Sequence, residues 1–196
     1  MWALVEDNTI VKIINQPKAM VINDVRHSKN IFSFRWTNEE REAIGLYEIV
    51  FDNSNKKDEE YYINTNQSFD YADGQVTASY GSATAKELDD RNATDDDGEE
   101  LDPVVVIEGL KTKHKKVIKK QASGLLAPTD WHVIKATDVA EYSVPSAIAT
   151  FRTNVRTRSN EMETAIDNAS DVDALASLYV YTDGERPLGE WPVLEV

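Results

Sequence analysis

The feature that most restricts the fold is a change of hydrophobic period across a block of acids. Before residue 85 the apolar residues come in short β-branched and aromatic runs separated by turn residues. Beyond Pro103 they recur at spacings of three, four and seven. Between the two lie Asp89-Asp90, Asp95-Asp96-Asp97 and Glu99-Glu100, which repel one another and offer nothing to bury. Short strand-like runs followed by helical runs define an α+β chain in which the two kinds of element are segregated. The expected organisation is a small antiparallel β-sheet domain with one short helix over residues 1–85 and an acidic linker over 86–103. A helical hairpin or small bundle at 104–181 and a C-terminal tail at 182–196 follow.

Local signals fill in this outline. Trp2-Ala3-Leu4-Val5 and Thr9 to Ile14 flank Glu6-Asp7-Asn8 and predict a hairpin. Pro17 ends the second strand, and Ala19 to Ile22 is a third extended piece. Thr37-Asn38-Glu39-Glu40 has the form of a capping box, and Gly45 closes that short helix. Leu46 to Phe51 reads as a strand. Asp73-Gly74 between Ser68-Phe69-Asp70-Tyr71 and Gln75 to Tyr80 predicts a tight hairpin, because glycine tolerates positive φ.

In the second half, Leu110, Val117, Ile118, Ala122 and Leu125 define the apolar side of an amphipathic helix. Lys111, Lys115, Lys116 and Lys119 belong to its basic face. That face is either solvated or paired with acids of this chain or of a neighbouring subunit. Leu126-Ala127-Pro128 breaks the helix, and Thr129 or Asp130 caps a short one. The longest helix starts at Ser143-Val144-Pro145 with Pro145 in its first turn. It carries Ile148, Phe151, Val155, Met162, Ala165, Ile166 and Ala169 in a near-heptad stripe that Arg158 interrupts. Ser170 or Asp171 caps a last helix.

Composition and motifs exclude several classes of function. The formal net charge of -14 disfavours nucleic acid as a partner. The chain has no cysteine, so thiolate catalysis and cysteine zinc sites are out. The histidines His27, His114 and His132 lack metal-ligand spacing, and there is no nucleophile elbow, Walker loop or dinucleotide fingerprint. The acidic block departs from the calcium-loop pattern, with Gly98 in the wrong place. No apolar run is long enough to span a bilayer. The expectation is a non-catalytic protein without cofactor or metal that acts through protein contacts. Trp2, Trp36, Trp131 and Trp191 are its large anchors: Trp131 is expected to pack on the long helix and Trp191 to dock on a neighbouring surface. Tyr61, Tyr62, Tyr71 and Tyr80 offer a further reading, a carbohydrate-binding face.

The stretch from Lys120 to Ala136, with Leu125-Leu126 and then Thr129-Asp130-Trp131, resembles a segment of tail-fibre and tail-assembly proteins of tailed bacteriophages. In those proteins an Ala-rich helix leads to Leu-Leu and a Ser/Thr-Asp-Trp block, followed by a proline and an aromatic-Arg helix. Pro145, Phe151-Arg152 and Val155-Arg156 stand in the later places. The opening Trp2 to Glu6 and the Gly45 to Tyr47 strand are similar to phage proteins as well. The resemblance implies no catalytic residue. It implies that Asp130 bonds at a helix start, Trp131 packs and Arg152 braces the Thr-Asp-Trp turn. It further implies a virion tail, baseplate or fibre-attachment component, made in the host cytoplasm and oligomeric in a symmetric assembly with other tail or fibre proteins. The alternative it leaves open is a non-virion chaperone of fibre assembly.

Overall fold

In the computed structural model, which describes residues 1–65 and 67–195, the chain divides into two compact units, Met1–Thr84 and Ala85–Val196. It is a mixed α+β protein, with a curled sheet in the first unit and helices in the second.

The first unit contains strands β1 (Trp2–Glu6), β2 (Thr9–Ile14), β3 (Met20–Ile22), β4 (Val25–His27), β5 (Leu46–Asp52), β6 (Tyr62–Ile63), β7 (Gln67–Ala72) and β8 (Gln75–Tyr80). A ninth short strand, β9 (Thr84–Ala85), lies at its end. The main sheet has the order β2-β1-β5-β8-β7, and its two edge strands approach each other as it curls. Successive side chains of a strand point to opposite faces, and here both faces are covered. Leu4 joins Ile14, Ile22, Ile31, Phe32 and Leu46 on one side, while Ala3 and Val5 join Ile49, Val76 and Ala78 on the other.

Three hairpins in this unit turn on adjacent residues with positive φ: Asp7-Asn8 at 49° and 60°, Asn23-Asp24 at 49° and 62°, and Asp73-Gly74 at 51° and 77°. That geometry matches the right-handed twist of the strands it joins, and Asn, Asp and Gly tolerate it best. The first and third hairpins agree with the expectation from sequence. The second, β3–β4, was not expected beyond a single extended piece at residues 19–22, although Asn23-Asp24 carried the signal.

The capping box forms: the Thr37 amide donates to Glu40 Oε2 at 2.8 Å and the Glu40 amide to Thr37 Oγ1 at 3.2 Å, opening α1 (Asn38–Glu42). Gly45 follows at φ +81°, and a Cβ there would lie 2.5 Å from the carbonyl oxygen of Val5. Glycine is therefore required where α1 hands over to β5. The all-antiparallel sheet expected from the hairpins is corrected by β5, which pairs with β8 in parallel from Ile49↔Val76 to Asp52↔Ser79. The long connection through residues 53–65 carries the chain across before β7 returns it, a crossover that hairpin signals do not encode.

The second unit opens with the acidic stretch, and here too the outcome differs from the expectation. In place of a linker, residues 86–103 belong to this unit. Arg91–Asn92 (β10) pairs with Val106–Ile107 (β11), and Asp90 sits over the start of the next helix. Helix α2 (Leu110–Leu126) buries Leu110, His114, Ile118 and Ala122, a line at i, i+4 spacing. Val117, expected in the core, is half exposed, and His114 stands in the buried line. After a 3-10 turn come α3 (Asp130–Asp138), α4 (Ser146–Asp167) and α5 (Val172–Ser177). Pro145 is the residue before α4 and not in its first turn. The buried line of α4 runs Phe151, Val155, Ser159, Met162, Ile166, so Ser159 and not Arg158 is the polar residue that interrupts it.

Helices α2 and α4 pack antiparallel. Lys115 reaches Asp167 and Lys119 reaches Glu163, while further along α2 Ala122 meets Val155 and Phe151 near the start of α4. Asp171 caps α5 by accepting from the Ala174 amide at 2.7 Å. No helix among the described residues is long and apolar enough to cross a membrane.

Candidate interaction surface

A network of buried polar groups lies where α2 ends. Pro128 falls in the first turn of the 3-10 segment Ala127–Thr129, where its missing N–H costs nothing. At this turn the Leu126 carbonyl accepts from two side chains. The Thr129 hydroxyl donates to it at 2.8 Å and Arg152 Nη1 at 2.9 Å. The same Nη1 donates to Thr129 Oγ1 at 2.6 Å, and Arg152 Nη2 pairs with Asp130 Oδ1 at 2.8 Å. Arg152 and Thr129 are both buried. One guanidinium thus fixes the end of α2, the turn and the start of α3 to α4. A planar group with several donors in a fixed fork suits this task better than a lysine.

The helix so held contributes nothing to the core, for no residue of α3 is buried. Trp131 is 52% exposed, against the expectation that it packs on the long helix. Ile134, one turn on from Trp131, is exposed on the same side, and Val133 and Val139 are exposed at other positions of this segment. Its ring stacks on His132 at 3.7 Å between centroids, and His132 lies near-parallel to Tyr142 at 6.1 Å. The Tyr142 hydroxyl is hydrogen-bonded to His132 Nδ1, and Lys135 Nζ sits 4.4 Å over the Tyr142 ring. These contacts hold the aromatic group in one geometry and leave its apolar surface open to solvent. From sequence His132 is weighed only as a possible metal ligand, and Tyr142 is not singled out.

The other expected site residues fall elsewhere. Trp2 packs edge-on to Phe32 at 4.9 Å with a buried indole N–H, and Trp36 packs edge-on to His27 at 6.0 Å, both against the core of the first unit. Trp191 docks on its own chain: it packs against Ala122, Phe151 and Val155, and Nε1 donates to Gln121 Oε1 at 3.0 Å. Tyr61 and Tyr62 are buried, the Tyr71 and Tyr47 hydroxyls are hydrogen-bonded at 3.0 Å, and Tyr80 is half-buried.

The lysine face is matched by the chain's own acids. Lys111 pairs with Asp89 at 3.0 Å, Lys115 with Asp167 at 2.7 Å, Lys116 with Glu108, and Lys119 with Glu163 at 3.3 Å. The hydrogen bond to Asp167 raises the Lys115 pKa. Asp90 accepts from the Gly109 amide and the Thr112 hydroxyl, which together hold its carboxyl below the usual range. The acids read as a linker therefore neutralise the start of α2.

No known protein family, curated protein or solved structure matches the chain.

Proposed function

We propose that this protein is a structural component of a bacteriophage tail, acting at the tail, baseplate or fibre attachment through contacts with other tail or fibre proteins and with copies of itself. The observation that carries the reading is the α3 face. A helix that buries none of its own residues, yet is locked in place by a buried arginine, has an exposed Trp131 with the exposed Ile134 one turn on, on the same side. Exposed aromatic and aliphatic residues on a rigid support are the composition of an interface centre. The Leu-Leu and Thr-Asp-Trp block that builds this support is the part of the sequence that resembles tail-fibre and tail-assembly proteins. The internal pairing of the lysines supports protein rather than nucleic acid as the partner.

Quantitative mass spectrometry of gradient-purified particles from the source virus tests the reading. Several copies per particle, in a multiple of three or six, are expected. Absence from particles together with abundance in infected lysate, bound to fibre protein, overturns the virion role in favour of an assembly chaperone.

A further inference from the structure

The C-terminal segment is held in an unusual way. Leu188 is buried and its amide donates to the Leu178 carbonyl at 3.0 Å, which anchors the chain just beyond α5. Gly189 then turns at φ +78°, a conformation that residues with a side chain rarely adopt, and a Cβ there would stand 2.9 Å from Arg158 Nη1. From residue 190 to residue 195 no backbone hydrogen bond ties the chain to the helices, among the described residues. Side chains do the holding. Trp191 and Leu194 lie in an apolar groove formed by Ala122, Leu125 and Leu126 of α2 and Phe151 and Val155 of α4. Gln121 receives the indole N–H, and Glu190 accepts from Tyr181 at 2.6 Å and pairs with Arg186 at 3.0 Å.

The seating is incomplete. A cleft of about 290 Å³ remains where the strap passes α4, lined by Asn154, Thr157, Arg158, Glu161, Glu190 and Pro192, and Val193 is 83% exposed. A short segment fixed by two apolar anchors, without backbone pairing and behind a glycine hinge, belongs to the part of a fold that opens well below the free energy of global unfolding.

We infer that the α2/α4 groove is a peptide-binding site whose resident occupant is the chain's own segment 190–195, and that the same segment of a second copy replaces it when copies are brought together. The occupant follows from the structure: the groove already accepts this sequence in cis, so an identical segment offers the same Trp191 and Leu194 anchors in trans. Such an exchange of identical elements is a low-cost route to association, because it creates no new interface chemistry. Residues 189–195, when extended, reach roughly 23 Å, enough to leave one groove and enter another. The groove of each copy is then completed by Trp191 of its neighbour. This inference stands independently of the phage reading.

The test uses full-length chains and a fluorescein-labelled peptide of residues 186–195, followed by fluorescence polarisation. In the wild type the resident strap competes for the groove. Trp191→Ala empties it, so the variant is expected to bind the peptide about tenfold more tightly, in proportion to the fraction of open grooves. Gly189→Ala loosens the strap by a different route and is expected to act in the same direction. A peptide carrying W191A should not bind. Failure of both variants to bind the peptide better than the wild type overturns the peptide-site assignment. Sedimentation velocity from micromolar to millimolar wild type should show dimers that W191A loses. A chain that stays monomeric throughout overturns the exchange between copies.

Discussion

Replacing Arg152 with methionine should destabilise the helical unit by about 2–3 kcal/mol. The magnitude follows from what the guanidinium touches. Nη1 serves the Leu126 carbonyl and the Thr129 hydroxyl in a buried setting, and a hydrogen bond involving a charged group is worth ~1.5–3 kcal/mol. Leu126 keeps the Thr129 hydroxyl as a donor, so its carbonyl is not orphaned. Asp130 has a side chain 55% exposed and returns to water, so its ion pair contributes only ~0–1 kcal/mol. Methionine fills the space of the aliphatic stem, which keeps the cavity cost small. Against these losses stands the relief of no longer burying a cation. Urea unfolding followed by circular dichroism at 222 nm reads the second unit, where the long helices lie. At a slope of about 1.5 kcal/mol per molar the midpoint should fall by ~1.3–2 M. Arg152→Lys should recover part of the loss, and Asp130→Asn should cost at most ~1 kcal/mol. A neutral or stabilising Arg152→Met would show that desolvation outweighs the bonds and would refute the bracing role.

Three other outcomes are expected. Trp131→Ala should change the stability of the isolated chain by no more than ~0.5–1 kcal/mol, since the ring is half exposed, yet abolish incorporation into particles; a large loss of stability with incorporation intact would remove α3 as the interface. Gly45→Ala should cost more than ~2 kcal/mol in the first unit, because it combines a positive φ with a Cβ 2.5 Å from the Val5 carbonyl oxygen, and thermal unfolding measures it. Tyr47, hydrogen-bonded to Tyr71 and partly buried, has its pKa pushed up to about 12. The folded state holds this proton more tightly than the unfolded chain, whose phenol titrates near ~10. The stability it contributes is therefore complete below that value and lost as pH rises through about 12. Absorbance at 295 nm should show a late-titrating tyrosine that Tyr71→Phe brings down, and its absence from the wild type would contradict the pairing.

What the sequence determined by itself is local. The Thr37 capping box, the Asp7-Asn8 and Asp73-Gly74 turns and the cap at Asp171 all form, and the division into a sheet unit and a helical unit followed from the change of period. These features rest on interactions within about four residues, which a chain specifies wherever it is placed. What only the tertiary structure decided depends on which surfaces meet. The parallel pairing of β5 with β8 joins segments about 27 positions apart, and no local signal fixes the direction in which distant strands pair. The acids at 89 and 90 look solvated in sequence and become partners only because α2 begins beside them. His114 displaces Val117 from the buried line because α4 packs along one i, i+4 row of α2 and not the adjacent one, a choice both rows allowed. The indole rings make the same point. Trp131, expected to pack, faces water, and Trp191, expected on a neighbouring surface, finds its own chain. Hydrophobicity states how much a side chain gains by being covered; it leaves open which surface does the covering.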